Sequence, residues 1–145
     1  MESIDHTFKL NIISVEKEYF RGNVEFVRFT SKVGDLGIMA HHIPLLTTLV
    51  PGPIIYKIND MEEVFFSSGG LVEFKNNTLN ILADTCIRAI DLDEMMLKAA
   101  QEKAQQALLN KEKSKSFNQA YAELARTTAL LKTIQELRKI RDTKH

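Results

Sequence analysis

At 145 residues, 44% of them hydrophobic and 26% charged, the chain is long enough to bury one modest core and too short for two large domains. No apolar run approaches the roughly 20 residues needed to cross a bilayer, and Met1–Asp5 lack the basic start and apolar stretch of a secretory signal, so a soluble globular protein that stays where it is made is expected. Basic and acidic side chains balance at 19 each, but the neutrality is a sum of opposites: residues 1–90 carry 8 basic against 11 acidic side chains, and residues 91–145 carry 11 against 8.

Along the first ninety residues, short stretches alternate with period two: Phe8, Leu10 and Ile12, then Ile54, Tyr56 and Ile58, then Leu79, Ile81 and Ala83. Each reads as a strand with one buried face. Arg21-Gly22-Asn23, Asn59-Asp60, Ser68-Gly69-Gly70 and Asn76-Asn77 are suited to tight reversals or positive φ. Closely spaced strands of this kind predict a sandwich or flattened barrel. Pro51-Gly52-Pro53 is expected at a sheet edge or corner, because neither proline can donate to a central ladder.

Within this region, Gly34-Asp35-Leu36-Gly37-Ile38-Met39-Ala40-His41-His42-Ile43-Pro44-Leu45-Leu46 places two glycines, two adjacent histidines and a proline in an apolar setting. The stretch reads as a loop whose glycines allow a turn, anchored in the core by Ile38, Leu45 and Leu46, with Asp35 and a histidine facing outward. The single cysteine, Cys86, allows no internal disulfide and reads as a small buried hydrophobe.

The pattern changes at residue 91. Asp91 and Glu94 resemble a capping box, after which Met96, Ala99, Ala100, Lys103, Ala104, Ala107 and Leu108 recur at helical spacing. The polar segment Lys111-Glu112-Lys113-Ser114-Lys115 breaks the run, and Ser116 with Gln119 offers a second capping box. A second helix is predicted from about Phe117 to about Arg141, with Phe117, Ala120, Tyr121, Leu124, Thr128, Leu131, Ile134 and Leu137 on its apolar face. The last third is therefore a helical hairpin. Its alanine-rich seam buries little area, so it relies on docking, either permanently on the sheet or as a mobile arm. From Arg126 onward, six basic residues face only Glu136 and Asp142, which suits an acidic partner.

Several chemistries are weighed on this pattern. A cupin-like metal enzyme would need converging ligands, yet adjacent residues on a strand point to opposite faces, so His41 and His42 do not converge on one ion. Nucleophilic catalysis lacks a Gly-x-Ser-x-Gly elbow, and no phosphate loop of the Gly-x-x-x-x-Gly-Lys type is present. A nucleic-acid-binding barrel would need a basic stripe, whereas the β half is net acidic. A docking module with no cofactor and no metal accounts best for the pattern.

The ordered motifs also carry a family resemblance. Gly34-Asp35-Leu36-Gly37-Ile38 with His42-Ile43-Pro44-Leu45-Leu46-Thr47, then Ser68-Gly69-Gly70, Ile81-Leu82-Ala83-Asp84-Thr85, Asp91-Leu92-Asp93-Glu94 and Ala122-Glu123-Leu124 resemble, in order, the signature of the epsilon subunits of bacterial F-type ATP synthases, counterparts of the mitochondrial delta subunit. The resemblance implies an α+β fold, an N-terminal β-sandwich of about ten strands (residues 1–90) followed by a C-terminal antiparallel two-helix hairpin (residues 91–145). It implies a non-catalytic rotor subunit at the cytoplasmic face of the bacterial cell membrane, held on the gamma subunit, resting on the proteolipid c-ring, and restraining ATP hydrolysis when the hairpin reaches the catalytic alpha/beta head. By that resemblance Asp35 and His42 meet the ring, and Lys132, Arg138, Lys139 and Arg141 are expected at an acidic segment of the head. Two departures stand out. Ala40-His41 replaces the usual Pro-Gly, and the ATP motif of the first helix is degenerate, with Leu92-Asp93 followed by Met96-Leu97 where nucleotide-binding members carry Arg-Ala.

Overall fold

The structure, a computed structural model, describes residues 6–109 and 114–143, with side chains for 6–109 and 118–143. Among the described residues nine strands, against about ten expected, form one strongly curled sheet: β1 (Phe8–Ile13), β2 (Glu18–Val24), β3 (Phe26–Ser31), β4 (Gly34–Met39), β5 (Leu45–Ile58), β6 (Met61–Ser67), β7 (Gly70–Lys75), β8 (Thr78–Ala83) and β9 (Cys86–Arg88). The strand order is β2-β1-β8-β7-β5-β3-β4, with β6 and β9 branching from β5. Every pairing is antiparallel except β1 with β8.

The sheet folds into two layers at β5. Its Leu45–Leu49 portion pairs with β7 and its Gly52–Ile58 portion with β6. The β3–β5 register shifts between Phe29 and Ser31, opposite Pro51-Gly52-Pro53. The prolines thus lie where the β3–β5 ladder is interrupted, which is the corner expected of them. The alternating sets point inward: Phe8, Leu10, Ile12, Phe29, Ile54, Phe74, Leu79 and Ile81 are all buried in one core.

The turn residues divide into two groups. Asn59-Asp60 and Asn76-Asn77 all have positive φ and close two-residue hairpins, because Asn and Asp tolerate the left-handed region. Gly70 has φ +145°, and a Cβ there would lie 2.0 Å from the Leu82 carbonyl oxygen, so no side chain fits between β7 and β8. Arg21-Gly22-Asn23, by contrast, is not a reversal. It lies inside β2, where Gly22 pairs with Leu10 and makes room for the Phe20 ring. The β1–β2 turn is built instead by Ser14, whose Oγ accepts from the N–H groups of Glu16 and Lys17.

Two helices follow. The β9 strand runs into a 3-10 turn at Ala89–Asp91, so Asp91 is not the helix cap. Asp93 fills that place: its Oδ1 accepts from the N–H groups of Met95 and Met96, and α1 (Glu94–Leu109) begins at the next residue. The second helix, α2, spans Ser114–Thr143, so Ser116 falls inside it rather than capping it. The polar break at Lys111-Glu112-Lys113 lies outside the described residues. Contacts of Arg138 with Glu94 and of Gln101 with Thr128 make the hairpin antiparallel.

The buried face of α2 differs from the one expected. Tyr121 and Thr128 are exposed, while Thr127, Leu130, Thr133 and Glu136 are buried together with Ala120 and Ile134. The reason is that α2 has two neighbours, α1 along one side and the outer face of the sheet along another. On the sheet side, Leu137 and Ile140 pack against Ile55, Val64 and Ala89. Ile55 and Val64 are buried by this second contact, which contributes roughly 1.5–3 kcal/mol for each such side chain fully covered.

Candidate functional site

Residues 34–46 form less of a loop than expected. Gly34 has φ +116° and completes the β3–β4 turn, where Ser31 Oγ donates to its carbonyl at 2.8 Å. Gly37 does not turn the chain. It sits mid-strand in β4, and its missing side chain admits the Phe26 ring. Ile38 is buried, Leu45 is partly buried, and Leu46 is outside the core altogether.

Asp35 is exposed beside the β3–β4 tip, where Thr30 Oγ1 donates to its Oδ1 at 2.8 Å. His41 and His42 lie past the far end of β4, in a turn rather than on a strand: His41 has φ 64° and its N–H donates to Asn77 Oδ1 at 2.7 Å, while the His42 N–H donates to the Met39 carbonyl. The His42 ring packs edge-on against Phe74, centroid to centroid 5.8 Å. Asp35 and Met39 are four positions apart on an extended strand, roughly 13 Å. The structure therefore places Asp35 and His42 at opposite ends of β4, an edge strand flanked by exposed Val33, Met39 and Ile43. Among the described residues no group of three or more His, Cys, Asp or Glu side chains is disposed to hold a metal.

Sequence reasoning missed a second surface. On the outer face of the layer β1-β8-β7-β5, Ile13, Leu82 and Leu71 stand in direct cross-strand register, and Leu46 pairs with Glu73 one row away. Leu46, Leu71 and Leu82 are 72%, 49% and 48% exposed, and with Ile13 they line a shallow depression of about 260 Å³. At its margin Asn11 Nδ2 donates to Asn80 Oδ1 at 2.8 Å, while the enclosed Asn11 Oδ1 has no hydrogen-bond partner. A signal for this strip exists in the sequence: Leu71 and Leu82 occupy the alternate, outward positions beside buried Val72 and Ile81.

The basic residues of α2 from Arg126 onward are exposed among the described residues, but their surroundings differ. Arg138 is bonded to Glu94 on α1, which also holds Lys98 at 3.2 Å. Lys139 Nζ lies 3.9 Å from Glu136 Oε1. Lys132 and Arg141 make no ion pair among the described residues. In the degenerate nucleotide motif, Leu92 and Leu97 are half-buried, Asp93 is committed to capping α1, and Met96 is 70% exposed. The Cys86 thiol is enclosed, and burial pushes it up from its usual 9.0 to about 12.

A curled sheet with an exposed apolar strip on one face and a helical hairpin docked on another defines a protein built to bind other proteins. Residues 7–89 match the family described as ATP synthase, Delta/Epsilon chain, beta-sandwich domain. The chain is 41% identical over 138 residues to the ATP synthase epsilon chains of Janthinobacterium sp. (strain Marseille) and of Herminiimonas arsenicoxydans, covering 94% of this chain and 99% of each relative. In fold it is similar to a chain in the cryo-EM structure of the Euglena gracilis mitochondrial ATP synthase, OSCP/F1/c-ring in rotational state 1, with TM-score 0.79 at 16% identity over 89% of this chain and 82% of that one. A chain of the central stalk/c-ring structure from Tetrahymena thermophila mitochondrial ATP synthase aligns with TM-score 0.58 at 18% identity, over 87% and 95%. The chain belongs to the family of ATP synthase epsilon chains. No helix among the described residues is long and apolar enough to cross a membrane.

Proposed function

We propose that this chain couples a proton-driven proteolipid ring to the gamma stalk at the cytoplasmic face of a bacterial cell membrane, and that its hairpin, residues 91–145, restrains ATP hydrolysis by the alpha/beta head. The observation that carries the docking half is the leucine strip. Ile13, Leu46, Leu71 and Leu82 lie outside a sheet whose inner face already has a complete core, so they contribute nothing to folding that their exposure does not offset. We assign the strip to the stalk.

The edge strand β4 is assigned to the ring, with Asp35 at one end and His42 at the other. What supports this is the exposure of Val33, Met39 and Ile43 along the same edge, together with the acidic group held outward by Thr30. On α2, Lys132, Arg138, Lys139 and Arg141 are assigned to an acidic segment of the head. Their support is the concentration of positive charge on the solvent side of the last turns of the helix.

Association of the full chain with the gamma subunit from the same source tests the stalk assignment. Leu71→Glu is expected to weaken binding roughly tenfold or more, as desolvated apolar anchors do, with the unfolding midpoint unchanged. Val15→Glu, at a fully exposed residue away from the strip, should bind as the wild type does. Equal binding by Leu71→Glu and wild type, or no association with gamma at all, contradicts the assignment.

A further inference from the structure

The seat of α2 is centred on one cross-strand row, with Ala89 of the 3-10 turn beside it. Gly37 of β4, Arg28 of β3, Ile55 of β5 and Val64 of β6 stand in register, and the helix packs Leu137 and Ile140 on Ile55 and Val64 while exposed Gly37 lies beyond it. Three members of the row are glycine or aliphatic. The fourth, Arg28, reaches from the sheet to the helix, with Nη2 3.0 Å from Glu136 Oε2. Among the described residues this is the only ion pair that joins the hairpin to the β half.

The other buried polar groups of α2 do not depend on the sheet. Thr127 Oγ1 donates to the Glu123 carbonyl at 2.7 Å and Thr133 Oγ1 to the Ala129 carbonyl at 2.9 Å, both within the helix. If α2 lifted away, these hydroxyls would keep their partners. Glu136 is different: its side chain is 10% exposed, and its hydrogen bond comes from the sheet. Removing Arg28 would leave a carboxylate enclosed without its charge-assisted donor, which opposes the docked state directly.

We propose that the Arg28–Glu136 pair is the latch that sets the balance between docked and released hairpin; Lys139, on the same helix as Glu136, stays beside the carboxylate in either state. The latch is asymmetric. Arg28 is 36% exposed and can be hydrated when its partner is neutral, whereas Glu136 is enclosed, so loss of the arginine releases the hairpin more than loss of the carboxylate. The consequence for the enzyme rests on the hairpin being the inhibitory arm; the latch itself is read on the isolated chain.

The test uses the full chain carrying spin labels at Lys32→Cys, in the β3–β4 turn, and Gln135→Cys, exposed on α2, with buried Cys86 retained. The fraction at long label separation should rise roughly two- to tenfold with Arg28→Gln and less with Glu136→Gln, the scale of one partly enclosed ion pair. The exchanged pair Arg28→Glu with Glu136→Arg should recover at least part of the docked population. Unchanged distance distributions in both single variants, or an exchanged pair no more docked than Arg28→Gln alone, would overturn the latch. In the assembled enzyme Arg28→Gln should slow ATP hydrolysis. A chain that opens in isolation while hydrolysis stays the same would leave the latch standing and remove the inhibitory role.

Discussion

Glu94, the first residue of α1, and Arg138, late in α2, form an ion pair that closes the hairpin at the end nearest the sheet. The hydrogen bond from Lys98, together with the Arg138 charge, holds the Glu94 carboxyl below the ordinary glutamate range. Its contribution is therefore present above that range and lost as pH falls through the lowered value. Arg138 cannot serve Glu94 and an acidic surface of the head at once. Glu94→Gln is accordingly expected to strengthen inhibition of ATP hydrolysis and Arg138→Ala to weaken it, each slightly, because a single exposed ion pair contributes little. Changing Lys132, Arg138, Lys139 and Arg141 together to Ala should release inhibition clearly, and more so at low ionic strength. Hydrolysis rates of the assembled enzyme across a salt series check both signs.

ATP binding to the isolated chain should be weak or absent. The Asp93 carboxylate is taken up by two backbone N–H groups, and the thioether of Met96 offers a phosphate no donor. The basic side chains that line the groove of about 530 Å³ between the helices are Lys98, Lys132 and Arg138, and two of them are engaged by Glu94. A missing charged hydrogen bond lowers affinity roughly ten- to a hundredfold. Titration calorimetry should show no micromolar binding, and Met96→Arg should tighten whatever binding exists. Micromolar binding by the unaltered chain would contradict this.

Alkaline stability should fall in a defined window. Burial raises Cys86 from 9.0 to about 12, and burial followed by the nearby Glu63 charge raises Tyr56 from 10.0 to about 12. Both groups are neutral when folded and ionise more readily when unfolded, so the stability tied to them is complete below pH 9 and is lost as pH rises toward 12. At pH 10.5 Cys86 alone accounts for about 2 kcal/mol, at 1.36 kcal/mol per unit. Urea midpoints at pH 8 and pH 10.5 should converge more closely in Cys86→Ala than in wild type.

Much of the fold is written in local pattern. Phe8, Leu10 and Ile12, or Leu79, Ile81 and Ala83, face one core because strand periodicity leaves them no other choice, and Asn59-Asp60 and Asn76-Asn77 turn because their side chains tolerate positive φ. What local pattern does not carry is tertiary use of the same residue type. Gly22 and Gly37 look like turn glycines but make room for the rings of Phe20, on the same strand, and of Phe26, on the neighbouring strand. Thr127, Thr133 and Glu136 hide the sheet-facing side of α2, since polar residues on a helix are read as solvated. The same holds for the candidate site. Asp35 and His42 are near in sequence, yet an intervening strand holds them apart, whereas Ile13, Leu71 and Leu82 are distant in sequence and register brings them side by side.

The central claim is a division of labour, with docking in the β half and restraint in the hairpin. Its most direct measurement is ATP hydrolysis by the assembled enzyme carrying either the full chain or one lacking residues 91–145. The full docking surface, from Ile13 to Leu82, lies outside the deleted segment, so assembly and rotary coupling should persist while hydrolysis rises. Equal hydrolysis by the two complexes across nucleotide and salt conditions would contradict the account and make the hairpin a structural clasp.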